Sequence, residues 1–209
     1  MATLSIGAHF AAGSLILMLG CIQLIERIRV NYPTVHRILG RLYVVLSLIT
    51  AIGGLSFIMI KGTVGGLWMD IGFTGYGVLT FIAAIATIHY ARLKSFQEHS
   101  AWAIRLFALA IGSWLYRMDY GFWFMFTDGV GHNNQFNGPF DVFMDFFFYI
   151  PNLIVAEVII GRYQFLKHKI VQGLTIISIY IACAFLILAT YFFTTKFWWP
   201  AMIEVIIGN

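Results

Sequence analysis

Ionisable side chains are scarce in this chain, and many of them fall inside or at the edge of long apolar blocks, where a charge needs a physical reason. The segment HRILGRLY places His36 and Gly40 on one helical face and Arg37 and Arg41 on another, since residues four apart stack. Two guanidinium groups at a membrane boundary suit lipid phosphates or a bound anion; they equally suit snorkelling arginines that set the depth of the helix. The segment HSAWAIR strings His99, Trp102 and Arg105 along one side of a helix. Arg105 then lies about 9 Å further in than His99, at 1.5 Å per residue. A charge at that depth should face protein, water or a ligand.

His36, His89 and His99 fall near one boundary on three different helices. His36 and His99, at equal depth, could hold a b-type haem from opposite sides, because haem iron accepts histidine as an axial ligand. Hydrogen-bonded interface residues are the plainer alternative. On the first helix His9, Gly13 and Gly20 share a face, and small residues let membrane helices approach closely. His9 is therefore expected to point into the bundle, as a packed, hydrogen-bonded histidine or as a ligand or proton relay.

The other side of the bundle collects carboxylates: Asp70, Asp119, Asp128, Asp141 and Asp145, with His132 in a loop. Such a group could bind a divalent metal. Solvated rim carboxylates explain it with fewer assumptions, and no metal ligand or catalytic residue is assigned. Arg117 calls for an anionic partner, with Asp70 and Asp145 as candidates. In YIPNLIVAE, Pro151 should free the carbonyl of Phe147 and kink the helix. Asn152 follows, able to bond across helices or to the freed backbone. Glu157 is placed to pair with Arg105, or else to handle a proton as a neutral acid.

The elements that must position these residues are membrane helices. Of 209 residues, 60% are hydrophobic and 11% charged, against roughly 25% charged in ordinary soluble domains. The apolar residues come in blocks of about 20, the length that crosses a hydrocarbon core. They lack the alternation of a barrel strand, which leaves an all-α bundle. Six helices are predicted: Ser5–Ile25, Thr34–Ile60, Leu67–Arg92, Glu98–Phe126, Phe140–Tyr163 and Ile170–Phe193. A Gly- and Asn-rich loop, DGVGHNNQFNGP, precedes the fifth, and the tail FWWPAMIEVIIGN reads as interfacial. Residues 1–209 form a single transmembrane domain, with 5–164 as its core and 165–209 as an extra helix and tail. No cleavable signal peptide is expected, because the first helix is long enough to span and lacks a basic start. Cys21 and Cys183 read as small core residues.

Ten of the 13 lysines and arginines fall on one side, in the first, third and fifth connections; Lys61, Arg117 and Lys196 lie toward the other. The positive-inside rule makes the first side cytoplasmic and puts both termini outside. Basic residues placed in this way do not indicate nucleic-acid binding.

His9, HRILGRLY, His99 with Trp102 and Arg105, Arg117 and NLIVAE together resemble a bacterial polytopic membrane family, domain of unknown function 2306, over roughly Ile6 to Gln164. The chain departs from the family pattern at Ala103, where a methionine is usual. The resemblance implies a shared helical core and a location in the bacterial cytoplasmic membrane, and it supplies no reaction. The bundle is also similar, more weakly, to b561-type membrane cytochromes. Those carry histidine pairs about four turns apart on one helix, and no helix here has such a pair.

Three kinds of function fit these residues. One is a non-enzymatic accessory or structural subunit, contacting lipids and a larger membrane complex or further copies of itself. That reading is favoured by the aromatic, charge-poor surface and the lack of a soluble catalytic domain. A small haem- or quinone-associated redox protein would use His36 or His99. A transporter would use Arg105, Asn152, Glu157 and the Pro151 kink.

Overall fold

The computed structural model describes the backbone of residues 2–165 and 190–207, with isolated positions between, and side chains mainly from 12 to 161 and from 190 to 204. The side chain of His9, all of Cys183 and most of the predicted sixth helix lie outside the described residues.

The described elements are all helical: α1 (Ala2–Leu24), α2 (Glu26–Asn31), α3 (Pro33–Lys61), α4 (Leu67–Arg92), α5 (Phe96–Thr127), α6 (Pro139–Phe147) and α7 (Ile150–Phe165). A π-helical turn (Thr194–Trp198) and α8 (Trp199–Ile207) complete them. Proline opens α3 and α6 at positions whose N–H would have no helical acceptor. Gly62, at φ 70°, closes α3, and Asp128, at φ 52°, closes α5 in the left-handed conformation. The first connection contains the short helix α2, stabilised locally by an exposed Arg29–Glu26 contact of 3.4 Å.

The packing is that of a protein in lipid. α4 lies against α3 and α5, α1 packs on α3 and α5, α6 on α4, and α7 on α5. Small residues fill the contacts, among them Ala83, Ala84, Ala108 and Ala110. The buried hydroxyls of Ser47, Thr80 and Thr87 donate to the carbonyls of Tyr43, Tyr76 and Ala83 one turn back, at 2.8, 2.8 and 2.7 Å. Large apolar side chains face outward, Met59 at 87% and Ile60 at 80% exposure. Lipid gives no hydrophobic reward for burying them, so close approach of small residues governs helix association.

Among the described residues three helical segments are long and apolar enough to cross a membrane: Pro33–Lys61, Leu67–Arg92 and Pro139–Gly161. The last runs across the break between α6 and α7. Pro151 cannot donate to the carbonyl of Phe147, and the helix is interrupted at Phe148–Tyr149. The Asn152 amide donates to the Phe148 carbonyl at 2.8 Å, so the side chain serves the interrupted backbone rather than another helix. That carbonyl lies against Gly112 of α5, where a Cβ would come within 2.9 Å of it. Cys21, expected in the core, is exposed on α1.

Candidate functional site

The densest polar chemistry sits where α5 ends and α6 begins. Asp141, on the first turn of α6, is fully buried. Its carboxylate accepts from the Tyr120 hydroxyl at 2.7 Å and from the backbone N–H groups of Gly138 at 2.9 Å and Asn133 at 3.2 Å. His132 Nδ1 lies 2.7 Å from the same carboxylate. The loop is built for this purpose. Asn133 Oδ1 accepts from the N–H of Gln135 and of Asn137, both at 3.1 Å, and Trp123 Nε1 donates to the Val130 carbonyl at 2.6 Å. Gly138 admits no side chain, since a Cβ would lie 2.1 Å from the Gly131 carbonyl oxygen.

Asp145, one turn on, is also fully buried, and neither carboxyl oxygen has a hydrogen-bond partner. Its backbone is pressed against Gly72 of α4, where a Cβ would stand 2.5 Å from the Asp145 carbonyl oxygen. The solvated-rim reading therefore fails for both aspartates: α4, α5 and the folded loop enclose them. Asp70 stays near the surface, where it accepts from the Thr63 N–H at 2.6 Å and ties down the α3–α4 turn. Arg117 NH1 donates to the Ser113 carbonyl at 2.6 Å. Among the described residues no three His, Cys, Asp or Glu side chains assemble as a metal site. Asp119 lines a separate apolar cleft of about 1120 Å³ with Trp123, Phe140 and Phe143.

At the opposite end four helices meet around two histidines. His99 Nδ1 is 2.9 Å from the Thr87 carbonyl of α4. The Gln23 amide of α1 reaches His36: oriented by its hydrogen bonds, its nitrogen donates to His36 Nδ1 at 3.0 Å and to the His36 carbonyl at 3.1 Å. Gly40 makes room for that amide, whose oxygen would lie 2.9 Å from a Cβ there. His89 is instead exposed, edge-on to Tyr90. Arg37 and Arg41 are exposed, and Arg37 Nε donates to the Pro33 carbonyl of its own helix at 3.1 Å. Gly20 of α1 packs on Phe107 and Tyr43, whereas Gly13 meets nothing within 4 Å.

Between these ends α5 and α7 are joined by an ion pair. Arg105 Nε lies 2.5 Å from Glu157 Oε1 and NH2 lies 2.8 Å from Oε2, a two-bond contact. The guanidinium stands 4.6 Å above the Trp102 ring, so Trp102 holds it from the other side. The Glu157 side chain is nevertheless 54% exposed.

Sequence reasoning missed Gln23, Thr87, Tyr116 and Tyr120. Tyr116 and Tyr120 were detectable as a pair four apart, aligned with the acid-bearing face; nothing local marked Gln23 or Thr87.

An all-helical protein with an apolar exterior, membrane-length helices and polar groups drawn inward is an integral membrane bundle. The chain belongs to the DUF2306 family of predicted membrane proteins, which it matches over residues 6–160. Neither the curated proteins nor the solved structures contain a significant match.

Proposed function

We propose that this protein is a non-enzymatic subunit of a larger assembly in the bacterial cytoplasmic membrane. In this reading it crosses the membrane six times, with the His36 and His99 end cytoplasmic and both termini outside. The Arg105–Glu157 pair carries the proposal. Glu157 lies within an apolar segment of membrane-spanning length, yet its side chain is 54% exposed. Even a paired charge half-exposed to lipid is unfavourable, since one side of it is left without polar surroundings. A polar helix of another subunit against this face would remove that cost. The apolar neighbours Ile154 and Val158, at 59% and 57% exposure, would complete the contact.

The mass of the protein, extracted directly from its membrane into lipid nanodiscs, tests this. A discrete assembly heavier than one chain is expected; monomers alone would overturn the proposal. A transport function has one feature in its favour, the break at Phe148–Tyr149 inside a membrane-length segment, since transporters place substrate sites at interrupted helices.

A further inference from the structure

We propose that Asp145 is a proton-carrying carboxyl, a buried acid that exchanges one proton through the loop end of the bundle while Asp141 beside it holds the negative charge. The assignment rests on the donor inventory. Asp141 receives Tyr120 O–H, two backbone N–H groups and the His132 ring, enough to hold a full charge out of water. Asp145, one helical turn away and fully buried, is offered no donor at all.

The polar groups on the neighbouring elements make their hydrogen bonds elsewhere. From α5, Tyr120 spends its hydroxyl on Asp141, and Tyr116 donates to Tyr120 at 3.4 Å. Arg117, also on α5, directs NH1 to the Ser113 carbonyl. From α4, Tyr76 donates to the Leu109 carbonyl at 3.1 Å, and Asp70 is engaged at Thr63. Tyr149, in the helix break, offers Asp145 no hydrogen bond. A second carboxylate here would bury an uncompensated charge beside the first. The neutral acid leaves only polar atoms unpaired, a far smaller penalty.

The path outward is short. His132 touches Asp141 and keeps 13% of its side chain exposed, which opens the network toward solvent. On release the Asp145 O–H bond breaks and the proton passes to water at the loop end beside His132, while Asp141, held by its donors, keeps its charge. Uptake runs in reverse, and no electron moves.

Infrared difference spectroscopy of the full chain in lipid vesicles tests the proposal. Asp145→Asn should remove one carboxylic-acid C=O band, and Asp141→Asn should not remove that band. Asp145→Glu, which keeps the acid if the amide variant folds poorly, should move the band instead. In heavy water the band should shift with deuterium uptake, and His132→Phe should slow that shift. An Asp145→Asn spectrum retaining every native acid band, an Asp145→Glu band left unmoved, or a band lost only in Asp141→Asn would overturn the assignment. Exchange equally fast in His132→Phe would overturn the route.

Discussion

Arg105 on α5 and Glu157 on α7 meet through two hydrogen bonds, 52 residues apart in sequence, with the Trp102 ring on the guanidinium. The pair ties together two helices that also pack directly on one another. Removing one partner strands a charge, so each single change should destabilise more than the pair contributes. Thermal unfolding in detergent of Arg105→Leu, Glu157→Leu and the double variant measures this. Each single loss should lie between the roughly 1 kcal/mol of an exposed pair and the roughly 3–5 kcal/mol of a buried one. The double variant should be no less stable than the worse single; simple addition would mean that the two residues act independently.

Gly72 is the point of closest approach between α4 and the acid-bearing helix. A methyl group there would meet the Asp145 carbonyl oxygen at 2.5 Å, a backbone atom that cannot swing aside. Gly72→Ala should therefore destabilise the protein by about 1–3 kcal/mol through overpacking. Gly13→Ala, where a Cβ meets nothing within 4 Å among the described residues, should not lower the melting temperature.

Topology is open to direct labelling. In a background with Cys21 and Cys183 replaced by serine, a cysteine at Asn134 should react with an impermeant thiol reagent added to intact cells. Cysteines at Arg29 and Lys94 should react only after the membrane is opened. The reverse pattern would invert the proposed orientation.

The histidine cluster makes a spectroscopic prediction. With Gln23 donating to Nδ1, the His36 ring carries its proton on Nε2, the nitrogen that would otherwise face a haem iron. Protein purified from haem-sufficient cells should show no b-type band in its reduced-minus-oxidised spectrum. A band that disappears in His99→Ala would reverse that conclusion and restore His36 and His99 as an axial pair.

Much of the architecture is legible in the sequence because lipid imposes a simple code. Continuous apolar runs locate α3, α4 and α5 to within a few residues, and Pro151 marks the interruption near Phe148. Depth makes Glu157 a candidate partner for Arg105, beside the alternative of a neutral acid, and the two do meet. Burial of the aspartates does not follow. Asp141 and Asp145 look like rim residues until the loop from Asp128 to Asn137 folds back, and that closure depends on Asn133, Gly131 and Gly138 acting together. The hold of Gln23 on His36 is equally silent, because it joins helices whose mutual rotation no short motif encodes.

The central claim is that the α7 face around Glu157 is covered by another subunit in the membrane. Photocrosslinking from a benzophenone side chain at Val158, one residue past Glu157 and 57% exposed, measures this in intact membranes. A single discrete protein adduct, weakened when Glu157→Leu is added, is the predicted result. Adducts to lipid alone from Val158 would contradict it.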